Sequence, residues 1–201
     1  MSINRSLAAK ALLVAQLAYD KSDPAFRTEH DDFYVEIDDE ERIVWIGVAG
    51  SNDRYDWFDN FLASRGWFDG IVKAHKRWFK RAKGFKFRLD KIVDKNAGYR
   101  VMLSGHSYGG AAASNYAFLR RDRVTECFTW NSPKPWAEFK DGAIELQMRE
   151  MCHHFINDAD KITRTPFRNR CFGREYRKDI NRFGQDHTNW EALHDIVDWY
   201  L

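Results

Sequence analysis

The sequence is short of the features that assign a function class by composition. Cysteine is scarce: Cys127, Cys152 and Cys171 make three, an odd number with no Cys-x-x-Cys pair. That argues against a disulfide framework and against a zinc site, and leaves free thiols in a reducing compartment as the expectation. Proline occurs only four times, and no repeat, low-complexity tract or Pro/Gly-rich linker divides the chain. One domain over residues 1–201 is therefore expected, since this length suffices for a sizeable core. No apolar run approaches the ~20 residues that cross a bilayer. The apolar segment 11–18 is short and interrupted by Gln16. Leu7, Ala11, Val14 and Ala18 recur at helical spacing, so the segment reads as an amphipathic helix packed on the domain, not as a signal peptide. A cytoplasmic location follows as the expectation. A surplus of one charge is also missing. The 32 Lys and Arg are offset by 30 Asp and Glu, a net +2, which gives no footprint for a nucleic-acid partner.

Apolar pattern is present in short pieces. The first helix is expected over about 6–19. Residues 33–37 and 43–48 read as strands joined by a turn at 38–41. A short helix is expected at about 55–62 and a longer one at 71–82, while 87–95 is ambiguous. Strands follow at 99–103, 124–130 and 154–156, with a helix at 111–119 between the first two and a C-terminal helix at about 190–200. Alternating strands and helices predict an α/β fold with a largely parallel central sheet flanked by helices. The aromatic content of 15% suits a rich core, with some rings free to line an apolar site.

The chemistry is concentrated at Gly105-His106-Ser107-Tyr108-Gly109, a G-x-S-x-G pattern. Five residues with three fixed are weak evidence alone. Their setting is stronger, because the apolar run Tyr99-Arg100-Val101-Met102-Leu103 enters the pattern and the small-residue run Ala111-Ala112-Ala113 leaves it. That is the strand–turn–helix of a nucleophile elbow, with Ser107 as the nucleophile. Gly105 and Gly109 let strand and helix approach, and the Tyr108 N–H at the helix start can donate to an oxyanion. A serine nucleophile needs a histidine base and a carboxylate to orient it. In the chain order Ser, Asp, His the carboxylate candidates are Asp158 and Asp160, which follow the short strand at 154–156. The base candidates are His187, in a loop before the last helix, and His194, inside it. His106 reads as locally packed or hydrogen-bonded. Cys152, His153 and His154 resemble a metal cluster only superficially, because neighbours on a strand point to opposite faces.

Four segments in order resemble the class 3 (fungal-type) lipases of the α/β-hydrolase superfamily. The first is Val44-Trp45-Ile46-Gly47-Val48-Ala49-Gly50-Ser51-Asn52 with Asp56-Trp57 downstream. It is similar to the family's strand, Arg-Gly-Thr/Ser turn and (Asp/Asn)-Trp helix. The second is Gly105-His106-Ser107-Tyr108-Gly109-Gly110, and the third is Asn157-Asp158-Ala159-Asp160-Lys161-Ile162 with Pro166. The fourth is Asp186-His187-Thr188-Asn189-Trp190. The resemblance implies Ser107 as nucleophile, Asp160 as orienting acid and His187 as base, with Asp158 and His194 as the alternatives. It adds Ser51 to Tyr108 as an oxyanion-hole residue. It implies an ester hydrolase acting on acylglycerol lipids, with no metal or cofactor. A phospholipase A1-type enzyme, a short-chain carboxylesterase and a catalytically inactive binding protein are the other readings. Two departures stand out. Ala49 replaces the family's Arg before the turn glycine, and Tyr108 replaces its Leu after the serine.

Residues 53–62 read as a short amphipathic helix, with Tyr55, Phe58 and Leu62 on one face and Trp57 and Phe61 beside them. In the resembled lipases a lid occupies this place, so these aromatics are candidate lid or substrate residues that meet a lipid surface transiently; an ordinary helix with its apolar face in the core is the alternative. The basic stretch from Lys73 to Lys86 reads as a solvated helix face, with contact to anionic headgroups as the alternative.

Overall fold

A computed structural model describes residues 4–19, 33–50, 65–164, 169–179 and 190–200. The frame is a six-stranded sheet in the order β1 (Phe33–Asp38), β2 (Ile43–Val48), β5 (Arg100–His106), β6 (Val124–Trp130), β8 (Cys152–Asn157) and β9 (Arg174–Lys178). Only β1 is antiparallel to its neighbour, and every other pairing in this sheet is parallel. A smaller antiparallel sheet joins β3 (Arg65–Phe68), β4 (Val72–His75) and β7 (Trp136–Phe139).

The large sheet is buried on both faces, as parallel sheets are, so β2 is apolar along its whole length. Alternation sends its residues to two cores. Val44, Ile46 and Val48 meet one cluster with α2 (Lys76–Lys95) and α3 (Tyr108–Leu119). Ile43 and Trp45 meet the other, with α1 (Arg5–Leu17) and α5 (Trp190–Tyr200). The remaining helix, α4 (Gly142–Met151), is capped by Asp141, whose side chain accepts from the Ala143 and Ile144 N–H groups. The apolar segment at 11–18 belongs mostly to α1. Its Ala11, Leu12, Val14 and Ala15 are buried against the sheet, and Ser104 Oγ donates to the Ala11 carbonyl at 2.6 Å.

The helix expected at 71–82 divides differently. Residues from Val72 to His75 form β4, and the helix starts at Lys76 and continues through the ambiguous 87–95 stretch to Lys95. The preceding strand β3 and its turn were not anticipated. The turn is built on Asp69 and Gly70, at φ 51° and 69°, the two positive φ values of a type I′ turn, closed by the Ile71 N–H donating to the Phe68 carbonyl (3.0 Å). Residues 53–62, expected as a lid helix with Tyr55, Trp57, Phe58 and Phe61, lie outside the described residues. Among the described residues no helix is long and apolar enough to cross a membrane.

Candidate active site

Strand β5 ends on His106, and α3 begins at Tyr108, so Ser107 alone makes the turn. Its φ is 55° and ψ −131°, a conformation a residue with a Cβ adopts only under constraint. The constraint is visible on both sides. The Ser107 N–H donates to the Trp130 carbonyl at the end of β6 (2.9 Å), and the Ser107 carbonyl accepts the Gly110 N–H (3.0 Å). The flanking glycines are required by space. A Cβ on Gly105 would lie 2.7 Å from the Gly109 carbonyl group, and one on Gly109 would lie 2.1 Å from the Val48 oxygen. The strand, the helix and the end of β2 therefore touch backbone to backbone around Ser107, which is itself nearly buried at 7% exposure.

The end of β2 forms the adjoining wall. A methyl placed on Gly50 would come within 3.3 Å of Ser107 Cβ. The Gly50 N–H donates to the Tyr19 hydroxyl (2.9 Å), and that hydroxyl lies 2.8 Å from His106 Nδ1. With the imidazole proton on Nε2, Tyr19 donates to Nδ1, so one hydroxyl ties the β2 turn to the residue before Ser107. Burial pushes the Tyr19 pKa up against the smaller opposing effects of the Gly50 N–H and the Arg81 charge, and so keeps the phenol protonated for this double role. Arg81 of α2 secures the same turn from outside. Its guanidinium donates to the Ala49 carbonyl (3.1 Å) and lies 4.5 Å from the centre of the Tyr108 ring. The two departures from the lipase pattern, Ala49 and Tyr108, thus meet on one arginine.

The next strand ends continue the polar rim. Asn131, after β6, also has positive φ (46°). Its N–H donates to the Phe155 carbonyl (2.9 Å), and its side-chain oxygen accepts the Asn157 N–H at the end of β8 (2.8 Å). From there the chain turns to Asp160, whose N–H donates to the Asn157 carbonyl (2.9 Å) and whose carboxylate accepts the Ile162 N–H (2.9 Å). Asp160 is buried. Asp158, the alternative, is turned away into an ion pair with Arg177 of β9 (2.6 Å). His194, the alternative base, lies on the exposed face of α5. His187 and Ser51 lie outside the described residues. Trp190, which opens α5, packs its ring 4.8 Å from that of His106 and 5.8 Å from that of Tyr19.

The neighbouring histidines of β8 divide as strand alternation requires. His153 stacks on Phe128, while Thr129 Oγ1 lies 2.6 Å from His154 Nδ1. Burial, then the charge of His153, pushes the His154 pKa down to about 3. Among the described residues no cluster of three or more His, Cys, Asp or Glu could hold a metal ion.

Tyr19, Arg81 and Asn131 went unnoticed in the sequence. Tyr19 lies in the turn after α1, far upstream of the serine motif, and Arg81 is one base in a run of them, so neither carries a local signal. Asn131 could have been found as a residue tolerant of positive φ directly after an apolar strand.

A mostly parallel sheet with a strained serine between a strand end and a helix start defines the α/β-hydrolase fold. Within it, the chain belongs to the class 3 lipase family, whose pattern it matches over residues 45–170. It is 25% identical over 169 residues to the "Secreted mono- and diacylglycerol lipase 1" of Fusarium solani, an alignment covering 77% of this chain and 50% of that protein. The chain thus spans about half the length of this curated relative. Among solved structures, the triacylglyceride lipase of Rhizomucor miehei superposes with a TM-score of 0.68 at 18% identity, covering 86% of this chain and 78% of that one. A nonglycosylated lipase of Yarrowia lipolytica superposes with a TM-score of 0.71 at 13% identity, covering 93% and 84%. At these identities the likeness is one of fold. The curated relative corrects one expectation, the cytoplasmic location. That relative is a secreted lipase, which points to the extracellular space. The expectation leaned on the segment at 11–18, and a helix packed on the sheet speaks neither for export nor against it.

Proposed function

We propose that this protein is a serine hydrolase of carboxylic esters, with acylglycerols as its substrates. The observation that carries the reading is Ser107, held at φ 55° between β5 and α3. Strain of that kind persists only where surrounding structure over-determines it, and here it serves to project one hydroxyl beyond the sheet edge. The chain's membership of the class 3 lipase family supports the same reading.

In the proposed reaction His187 accepts the Ser107 proton as Oγ bonds to the ester carbonyl carbon. The carbonyl electrons move onto oxygen, where the backbone N–H groups of Ser51 and Tyr108 stabilise them. Each such donor contributes about 2.7–4 kcal/mol to the transition state. His187 then protonates the departing alcohol as the C–O bond breaks, and water hydrolyses the acyl-enzyme by the same route. Asp160 orients the imidazole. Two residues lie between His187 and Trp190, so the chain between their Cα atoms spans at most about 11 Å. Trp190 packs on His106, so this short chain distance supports His187 as the base. The same reading takes residues 1–201 as one catalytic domain. It takes residues 53–62 as its lid, with Tyr55, Trp57, Phe58 and Phe61 meeting acyl chains.

A series of p-nitrophenyl esters of rising acyl length tests the proposal, with Ser107→Ala as control. Turnover by the parent protein and a loss of at least about 10³-fold in Ser107→Ala are expected. Equal turnover by the two proteins overturns it. A preference for acetate over long acyl chains replaces the lipase with a short-chain carboxylesterase.

A further inference from the structure

The chain is nearly neutral overall, yet one helix is strongly basic. Helix α2 carries nine Lys and Arg against Asp90 and Asp94 alone. Both acids turn towards Arg120 of the neighbouring segment, at 2.6 Å each, and Asp90 also pairs with Lys86 and accepts from the Tyr116 hydroxyl. What faces solvent is the stripe Lys76, Lys80, Lys83, Phe87 and Lys91, spaced three and four residues apart on one side of the helix. Phe87 stands in the middle of it, 69% exposed, with the Lys91 ammonium 4.5 Å from its ring centre.

The β3–β4 hairpin extends this face. Alternation along β3 turns Phe68 inward to stack on Phe79 at 3.9 Å, and turns Trp67 outward, 40% exposed. Lys73 sits directly opposite Trp67 in the strand register, 5.8 Å from its ring centre, and Lys140 lies 4.4 Å from it. Lys83 joins helix to hairpin through Asp69, at 3.4 Å. A further acid beside the hairpin is Glu138 of β7, across from Lys73. Two exposed aromatic rings, each with lysine over it, thus stand in a field of lysine.

We infer that this flank docks the protein on an anionic phospholipid surface. The lysine ammonium groups meet lipid phosphates, while Trp67 and Phe87 enter the headgroup region, where aromatic rings are favoured. The rings are poor platforms for nucleic-acid bases, because lysine ammonium groups already cover their faces and the surface is the convex outside of a helix and a hairpin. The inference is independent of ester hydrolysis, so each proposal can fail without the other.

Co-sedimentation with vesicles provides the test, comparing phosphatidylcholine alone with phosphatidylcholine containing phosphatidylglycerol. Binding is expected only to the mixed vesicles and should weaken as salt is raised. Each lysine contributes about fivefold in affinity, so the triple variant Lys76→Gln, Lys80→Gln, Lys91→Gln should bind about 100-fold more weakly. Phe87→Ser should bind more weakly at every salt concentration. Circular dichroism and turnover of a soluble ester check that these variants remain folded, since none of the four residues belongs to the proposed catalytic machinery. Equal binding to neutral and mixed vesicles, unchanged binding by the triple variant, or tighter binding to a mixed-sequence RNA than to the mixed vesicles overturns the inference.

Discussion

At their N-terminal ends the parallel strands β2, β5, β6 and β8 begin on Ile43, Arg100, Val124 and Cys152, and the nearby helix ends are tied by the ion pairs of Arg120 with Asp90 and Asp94. At their C-terminal ends the same strands run into Ala49–Gly50, Ser107, Asn131 and the Asn157–Asp160 turn, where buried polar groups hold one another. The backbone differs in the same sense. Of the four described non-glycine residues with positive φ, Arg42 and Asp69 lie in hairpin turns, which demand that conformation. The other two, Ser107 and Asn131, lie side by side at the ends of β5 and β6, where no hairpin requires it. One edge of the sheet is thus organised for stability, and the opposite edge holds a geometry the rest of the fold must support.

The comparison breaks most readily at Asp160. If the C-terminal edge serves catalysis, Asp160→Asn should lower kcat on a soluble ester by roughly 10⁴-fold while circular dichroism stays native. A loss of less than tenfold would move the acid to Asp158. The buried middle of the sheet is probed through pH. His154 is neutral in the fold, with its pKa depressed from 6.5 to about 3, so the unfolded chain binds the extra proton. Its contribution is full above pH 6.5 and is lost progressively as pH falls towards 3. A tenfold difference in proton affinity between the two states is worth about 1.4 kcal/mol, so several kcal/mol disappear across that window. Urea unfolding as a function of pH should show this slope in the parent protein and a flatter one in His154→Gln.

Arg120 tests the stabilising edge. Arg120→Ala removes the partly buried tie between Asp90 and Asp94 and should cost about 1–2 kcal/mol in urea unfolding, less than breaking a fully buried pair because Asp94 is exposed and Asp90 keeps Lys86 and the Tyr116 hydroxyl. Its kcat should be unchanged, and a fall in kcat would mean that the two edges are coupled. Tyr19→Phe is the smallest and sharpest probe. It removes the acceptor for the Gly50 N–H and the tie to His106 while keeping the ring against Trp190. About a tenfold fall in kcat with little change in KM is expected, because in the proposed site the β2 turn supplies an oxyanion donor and no acyl-chain contact.

How much of this was legible followed from how local each signal is. Strand 124–130 and helix 190–200 match the structure because apolar pattern and element coincide there. The hairpin before α2 was missed although Asp69-Gly70 is a turn signal, because β3 and β4 are each too short to show alternation. Strand β9, Arg-Glu-Tyr-Arg-Lys, carries charge along its length, as a sheet edge can, and offers no apolar pattern at all. The serine turn was readable because strand, serine and helix follow one another directly in sequence and Gly105 is required by Gly109 four residues on, although the contact that requires Gly109 comes from Val48 of β2. Its supports were not readable, since Tyr19 and Arg81 reach it from elements distant in sequence.

Labelling with a fluorophosphonate, followed by peptide mapping, tests the central claim most directly. The reagent reacts with a serine only where base and oxyanion donors converge on it. Stoichiometric modification of Ser107, abolished in Ser107→Ala and strongly slowed in Asp160→Asn, is the predicted result. Modification at another serine, or none in a protein that turns over esters, would contradict it.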